Sequence, residues 1–550
     1  MTEKKWLTSW SGATDKKLNY MSLPITEVFS KYAAEHPDKT ALDFYGYKIT
    51  YGKLDQLSAS FAASLSGLGV SMGDRISLYM ENCPQFIIAL LGGWKIGAIM
   101  VPSNPMFLGE ELVYQLTDAG CETIIMQDDL FPVFDSVRVR TPVTNVIVTN
   151  RQEFLPANPA LTPHHTLVTA SNSASGAMKF PQLLSMGYNG TEIKPRLDDV
   201  ALLQYSSGTN GMPKGAMITH GNLMHNAVGC AAWLGAQPED THLAVLPLFE
   251  LAGLVPGMSM PFYSGGKVIL LARYDTECVL EAIEKYQCTH WASITTMKIA
   301  VINYPDIGRW NLTSLRYCLT GGSPVPLEVR QAFTEQTGAD LIEGYGLSET
   351  TSQITLNPPH QSKPGSVGIP VFETKIKIVD INDPYREVPQ GTEGELIVKG
   401  PQVMKGYWNR PGETRLTIRD GWFSTGDVAR VDSDGYIYIV GRKRDIIKPS
   451  GFLVFPQEVE KLIYQHPAVA EVVVAGIPDP YRVETVKAFI VLRQEYVGTI
   501  SEEDIIQWSR HKIAAYKYPR VVEFVSELPH NGTGEVKRCF IRGKDSLSEC

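Results

Sequence analysis

The sequence predicts an α/β fold: a large N-terminal domain of parallel α/β sheets with a β-rich subdomain, followed by a small α+β domain. Strand-like and helix-like apolar patterns alternate from Asp74 to Met126 and again from Val200 to Thr320, as parallel sheets require. From Gly365 to Val440 the texture changes to short strands with turn dipeptides, and after Asp445 another set of helices and strands follows. At 550 residues the chain is long enough for two or more domains with large cores.

Taken in order, Ile25, Val28 and Phe29 predict an amphipathic helix. Residues 40–50 predict a hairpin turning at Gly46, and a second helix reaches Leu68. Strand 75–80, helix 83–93, strand 98–102, helix 109–119 and strand 123–126 come next. The most apolar stretch, 86–101, is broken by Gly92, Gly93, Lys95 and Gly97 and is too short to cross a bilayer. Residues 150–180, rich in Pro, Asn, Ser, Thr and Ala, predict a loop or insertion. Strands 200–203 and 216–219 flank a glycine-rich loop, and helix 223–233 follows. Strand 243–247, apolar 268–271, helix 276–286 and strand 317–320 continue the alternation. Asn382-Asp383, Asp420-Gly421 and Asp434-Gly435 mark the turns of the β-rich part. Helix 457–464, strands 469–475 and 487–492, helix 502–513 and strand 521–524 make the last unit. These readings place the domains at 1–441 and 442–550.

Hydrophobic residues are 44% and charged residues 20%, an ordinary globular balance. A net charge of −9 argues against nucleic acid as the main partner, so an anionic ligand needs a local basic site. Eight cysteines, at 83, 121, 230, 278, 288, 318, 539 and 550, include no Cys-x-x-Cys pair and no zinc spacing. Reduced thiols and a cytoplasmic location are expected. Met1 to Trp6 lack a following apolar run, so no signal peptide and no transmembrane segment are expected. Peripheral membrane contact and a homodimer stay open.

The chemistry concentrates in Tyr205-Ser206-Ser207-Gly208-Thr209-Asn210-Gly211-Met212-Pro213-Lys214-Gly215, with three glycines, three hydroxyls after the tyrosine, an amide and a lysine. Glycines let a backbone approach a ligand, and successive N–H groups form a concavity suited to anionic oxygens. This loop is not of the Walker type, because Lys214 lies between Pro213 and Gly215. By composition alone a polar surface loop is the commoner outcome. Its residue order resembles the signature loop of the adenylate-forming (AMP-binding) superfamily, and especially that of fatty acyl-CoA ligases. In that family the loop cradles the β- and γ-phosphates of ATP.

Further segments resemble family motifs in the expected order, across nearly the whole chain. Gly344-Tyr345-Gly346-Leu347-Ser348-Glu349 resembles the adenine and magnesium motif. The resemblance implies stacking by Tyr345, close backbone at Gly344 and Gly346, and a Mg²⁺ ligand at Glu349, with Thr209 as a second ligand. Taken alone it is a common kind of Gly-rich turn. Gly321-Gly322-Ser323-Pro324 resembles the segment flanking the adenine and acyl pockets. Asp427, in Trp422 to Asp427, falls at the ribose-binding aspartate, and Arg442 at the arginine that contacts ribose or phosphate. Arg444 falls at the hinge about which the family's small domain rotates between its two half-reactions. Lys448 and Gly451 belong to a segment used on the CoA side.

Two positions depart from the family pattern. The family's C-terminal loop carries a lysine that bridges the α-phosphate and the carboxylate, and this chain has Glu535 there. Lys537, two residues on and on the same face of an extended strand, is a candidate substitute. That leaves Lys214 as the main lysine near the phosphates. The second departure is Glu250, where acyl-CoA synthetases usually carry the histidine that gates the acyl pocket and thiol tunnel. The favoured reading is an acid–thiol ligase that makes acyl-AMP and pyrophosphate from a fatty or related carboxylic acid and ATP, then transfers the acyl group to CoA. Its alternatives are an adenylating enzyme with another acceptor, and an impaired or non-catalytic nucleotide-binding member because of Glu535.

Overall fold

A computed structural model describes residues 18, 22–164, 167, 174–185, 193–206, 212–322, 325–449 and 453–529. Two large sheets carry the main body. A seven-stranded sheet runs in the order Met178–Lys179, Asn145–Thr149, Thr123–Gln127, Arg75–Tyr79, Ile99–Ser103, Val200–Ser206, Lys214–Thr219. All its neighbours are parallel except the last pair. A nine-stranded sheet runs Ile369–Pro370, Ser352–Leu356, Asp340–Leu347, Tyr317–Thr320, His290–Ser293, Thr241–Ala244, Lys267–Leu270, Thr40–Phe44, Tyr47–Thr50, with a parallel centre and antiparallel edges. The α/β class follows the sequence expectation.

Helix Pro84–Lys95 is buried on every face, the position that an all-round apolar helix demands. Trp94 Nε1 donates to Ala201 O at 2.9 Å inside this core. Asn82 links the two sheets: its Nδ2 donates to Leu246 O at 3.0 Å and Leu271 O at 3.2 Å. No described helix is long and apolar enough to cross a membrane.

The β-rich part forms a five-stranded antiparallel sheet that includes Trp422–Val431 and Ile437–Arg442. Beyond it, Val469–Asp479, Val483–Leu492 and Val521–Phe524 form a three-stranded sheet flanked by helices Pro456–Ile463 and Glu502–Arg510. The two parts meet where Phe455 packs with Val428 and Ile446.

Gly344 to Leu347 completes strand Asp340–Leu347, paired antiparallel with Ser352–Leu356. Glycine is needed because a Cβ at Gly346 would sit 1.4 Å from Ser352 O. The chain turns only afterwards, through the 3₁₀ turn Ser348–Thr350.

Helix Thr295–Ile302 buries Lys298 completely, with Nζ donating to Ser293 Oγ at 2.6 Å and lying 5.7 Å from the Trp291 and Phe333 ring centres. Burial drives its pKa from 10.5 down to about 8. The folded state therefore holds the proton less tightly than the unfolded chain. The penalty is full below about pH 8 and fades as pH rises toward 10.5. Lys298→Met is expected to gain roughly 2–4 kcal/mol at pH 7 from removing it, less the lost hydrogen bond. Urea unfolding of both forms at neutral and at alkaline pH checks this; a difference that does not shrink at high pH contradicts it.

Candidate active site

Ser206, Gly322 and Gly344 follow parallel-paired stretches of strand, at the ends where open α/β sheets bind ligands, while Asp427 and Arg442 stand on the antiparallel sheet. Ser206 ends strand Val200–Ser206, and Lys214 begins its antiparallel partner, opposite Ser206 in the register. The loop thus joins two paired strands and does not lead directly into a helix. Ser207, Gly208, Thr209, Asn210, Gly211, Gly451, Glu535 and Lys537, and the side chain of Ser206, lie outside the described residues.

Lys214 forms an ion pair with Glu413, and its Nζ lies 5.4 Å from the centre of the Tyr407 ring. Tyr407 in turn donates its hydroxyl to Glu349 Oε1 at 3.0 Å. One aromatic side chain thus carries the loop lysine on its face and the expected metal-ligating carboxylate at its hydroxyl. Burial and the Glu349 charge push the Tyr407 phenol far up, so it stays a donor. Backbone pairing fixes the arrangement. Met217 N donates to Gly406 O at 2.8 Å, Trp408 N to Gly215 O at 2.8 Å and Met404 N to Glu349 O at 2.8 Å.

Beneath the loop, Tyr205 donates to Asp118 Oδ2 at 2.7 Å, and Arg410 donates to Asp118 Oδ1 at 2.6 Å and to the Tyr114 hydroxyl at 3.1 Å. Tyr114 donates onward to Pro213 O at 2.7 Å. Both ends of the loop are anchored to one half-buried polar network.

The nucleoside candidates make a second cluster. Tyr345 donates its hydroxyl to Asp427 Oδ2 at 2.5 Å, and Arg442 Nε lies 3.5 Å from Asp427 Oδ1. Asp427 and Arg442 are direct partners across antiparallel strands. Burial raises the Asp427 pKa, opposed by Arg442, the Tyr345 hydrogen bond and Arg444. Gly322 has φ +83°, with nothing near a virtual Cβ, which leaves backbone open to a ligand. Ser348 opens the 3₁₀ turn that carries Glu349.

Glu250 caps the short helix Leu251–Leu254 through its carbonyl, which accepts from Leu254 N at 2.8 Å. Arg444 sits in the 3₁₀ turn Lys443–Asp445, with Nε 3.7 Å from Asp445 Oδ1. Exposed Lys448 donates its N–H to Glu484 at 2.8 Å. Tyr407, Glu413, Arg410 and Asp118 escaped the sequence reading. The run Lys405-Gly406-Tyr407-Trp408-Asn409-Arg410, two aromatics and two cations on a tight turn, was the available signal.

The AMP-binding enzyme profile matches residues 29–408, and the AMP-binding enzyme C-terminal domain profile matches residues 458–535. The chain belongs to the AMP-binding enzyme family. It is 36% identical over 552 residues to the long-chain-fatty-acid–CoA ligase of Bacillus subtilis (strain 168), covering 98% of this chain and 97% of that relative. A feruloyl-CoA synthase of Amycolatopsis is 33% identical over 510 residues, covering 92% and 96%. The crystal structure of the anthranilate CoA ligase AuaEII with anthranoyl-AMP superposes with a TM-score of 0.83 at 28% identity, covering 95% of this chain and 97% of that one.

Because Glu413 competes for Lys214, Glu413→Gln is expected to tighten ATP binding. The pair is partly exposed, so the gain is small, up to about 5-fold. AMP, which lacks the outer phosphates, should bind the same to both forms. Calorimetry with each nucleotide checks the difference; equal ATP affinities contradict the competition.

Tyr407→Phe keeps the ring under Lys214 and removes the hydrogen bond to Glu349. Bonds to charged groups are worth about 1.5–3 kcal/mol, so adenylation should slow by roughly 10- to 100-fold. Pyrophosphate release across a Mg²⁺ series checks this, and an unchanged metal dependence contradicts a positioning role for Tyr407.

Proposed function

We propose that the chain is an AMP-forming acyl-CoA ligase for a fatty or related carboxylic acid. The observation that carries this reading is the meeting of Lys214 and Glu349 on Tyr407, beside a second cluster in which Tyr345 and Arg442 meet Asp427. One group suits the triphosphate and the other the nucleoside. In the first half-reaction a carboxylate oxygen attacks the α-phosphorus of ATP and pyrophosphate leaves. In the second, the CoA thiolate attacks the acyl carbon and AMP leaves.

Lys214 and the loop N–H groups neutralise phosphate charge, Tyr345 covers the base, and Asp427, beside Arg442, accepts from the ribose hydroxyls. Glu349 offers a hard oxygen fit for Mg²⁺, with Tyr407 on its other side and Thr209 as a further ligand. The ion supplies charge neutralisation on the phosphates. Residues 1–441 form the larger body and 442–550 the smaller, with Arg444 as hinge and Lys448 and Gly451 turned toward CoA in the second step. Glu250 at the gate disfavours a substrate with a second carboxylate. Burial of six unpaired cysteines supports a reducing compartment such as the cytoplasm.

Relatives that cover almost the whole chain are named as CoA ligases, so an acceptor other than CoA is not favoured. A panel of medium- and long-chain fatty acids, ferulate and anthranilate, with ATP and with or without CoA, tests the reading. Acid-dependent AMP with matching thioester is expected. ADP as product, or acyl-AMP that never passes to CoA, overturns it.

A further inference from the structure

A second cluster of chemistry-bearing side chains lies at the amino ends of the nine-stranded sheet, away from the nucleotide candidates. His242, in Thr241–Ala244, and His290, in His290–Ser293, are direct partners on neighbouring parallel strands. Their rings stack with centroids 4.6 Å apart and planes 27° from parallel. Asp240, just before the first strand, brings Oδ2 to 3.9 Å from His290 Nδ1. Donor atoms of all three lie within 4.8 Å of one another. Exposure is 4% for Asp240, 1% for His242 and 4% for His290.

These rings are badly provided for. Both nitrogens of His242 and Nε2 of His290 are buried without a hydrogen-bond partner. A buried polar atom left unmet is destabilising, and His242 alone carries two. Nδ1 of His290 meets Thr289 Oγ1 at 2.9 Å, which leaves its Nε2 and both nitrogens of His242 open to a ligand. A cavity of about 10 Å³, bordered by both histidines with Met260 and Tyr317, has room for one small species.

Asp240 is already oriented. Its Oδ2 accepts from Gln237 N at 2.8 Å, and its Oδ1 from Thr289 Oγ1 at 3.0 Å and from Arg316. Outer hydrogen bonds of this kind are what hold a ligating carboxylate in place. The Arg316 charge opposes a cation, but its side chain is 47% exposed and stays solvated.

We propose that Asp240, His242 and His290 form a binding site for a borderline divalent cation of the zinc type, cross-linking two strands of the large sheet. Two imidazoles and a carboxylate, with one position left for solvent, match tetrahedral zinc chemistry. Ligand atoms around such an ion sit about 3.3 Å apart, so the donor atoms, spread here over as much as 4.8 Å, must close by side-chain shifts of about 1 Å or more.

The test uses the full chain, stripped with chelator, free of ATP, and titrated with Co²⁺. A single site with tetrahedral visible bands, displaced by Zn²⁺, is expected. The bands should vanish in His242→Asn and in His290→Gln and persist in Glu349→Gln. Bands that survive both histidine variants, bands lost only in Glu349→Gln, or no Co²⁺ binding at all would overturn the proposal. If either histidine variant fails to fold, zinc-edge X-ray absorption on the unmutated protein decides. Two imidazoles per zinc are expected there, and a coordination shell without imidazole overturns the site in favour of a lone buried water.

Discussion

Glu535→Lys is expected to raise the rate of acid-dependent pyrophosphate release by about 10²–10³, the usual worth of one positioned transition-state donor. The expectation rests on residue order: the C-terminal family match ends at Glu535, and the sequence resemblance implies at that position a lysine that bridges α-phosphate and carboxylate. An anion there repels the phosphates as well as failing to donate. Thioester formation from supplied acyl-AMP should change little, because that lysine acts in the first half-reaction. Parallel assays of pyrophosphate release and of CoA acylation from synthetic acyl-AMP check both halves. Equal adenylation rates would sink the idea. If Lys537 already substitutes, Lys537→Ala in the unmodified chain should remove the adenylation that remains.

Asp427→Asn is expected to weaken ATP and AMP alike by about 10²–10⁴. Two ribose hydroxyls donating to a carboxylate contribute about 1.5–3 kcal/mol each beyond water. The amide keeps the volume, but it loses the charge facing Arg442 3.5 Å away and the acceptor for Tyr345 at 2.5 Å. Because the loss falls on the nucleoside, it should be independent of phosphate number, unlike the effect of Glu413→Gln. Equilibrium binding of ATP, ADP and AMP distinguishes the two; a loss confined to ATP would place Asp427 away from the ribose.

Elements with strong periodicity and clear ends were legible from sequence to the residue. Helix Thr276–Tyr286 starts at Asp275, whose side chain accepts from Cys278 N at 2.9 Å, and helix Gly109–Ala119 stops at left-handed Gly120. Strands His290–Ser293 and Asp340–Leu347 were missed. The first is four residues long with polar ends, and the second finishes in glycines that strands ordinarily avoid. Helix Leu327–Thr337 was missed because little of it is buried beyond Phe333 and Thr337.

The site divides in the same way. Contiguous motifs could be found by order: Lys214 in its loop, Tyr345 and Glu349 in one short run, Asp427 and Arg442 on one hairpin. Glu413 and Asp118 could not, since their partners Lys214 and Arg410 lie far away in sequence or outside any motif. Lys214, read from the sequence as the main lysine near the phosphates, is paired with Glu413.

The most direct test of the nucleotide site is a crystal structure of the protein with Mg²⁺ and a non-hydrolysable ATP analogue. Lys214 should have left Glu413 for the β- or γ-phosphate, Glu349 should ligate the metal with the Tyr407 hydroxyl still on it, and both ribose hydroxyls should lie on Asp427. Nucleotide bound elsewhere, or bound here with the Lys214–Glu413 pair intact, contradicts the account.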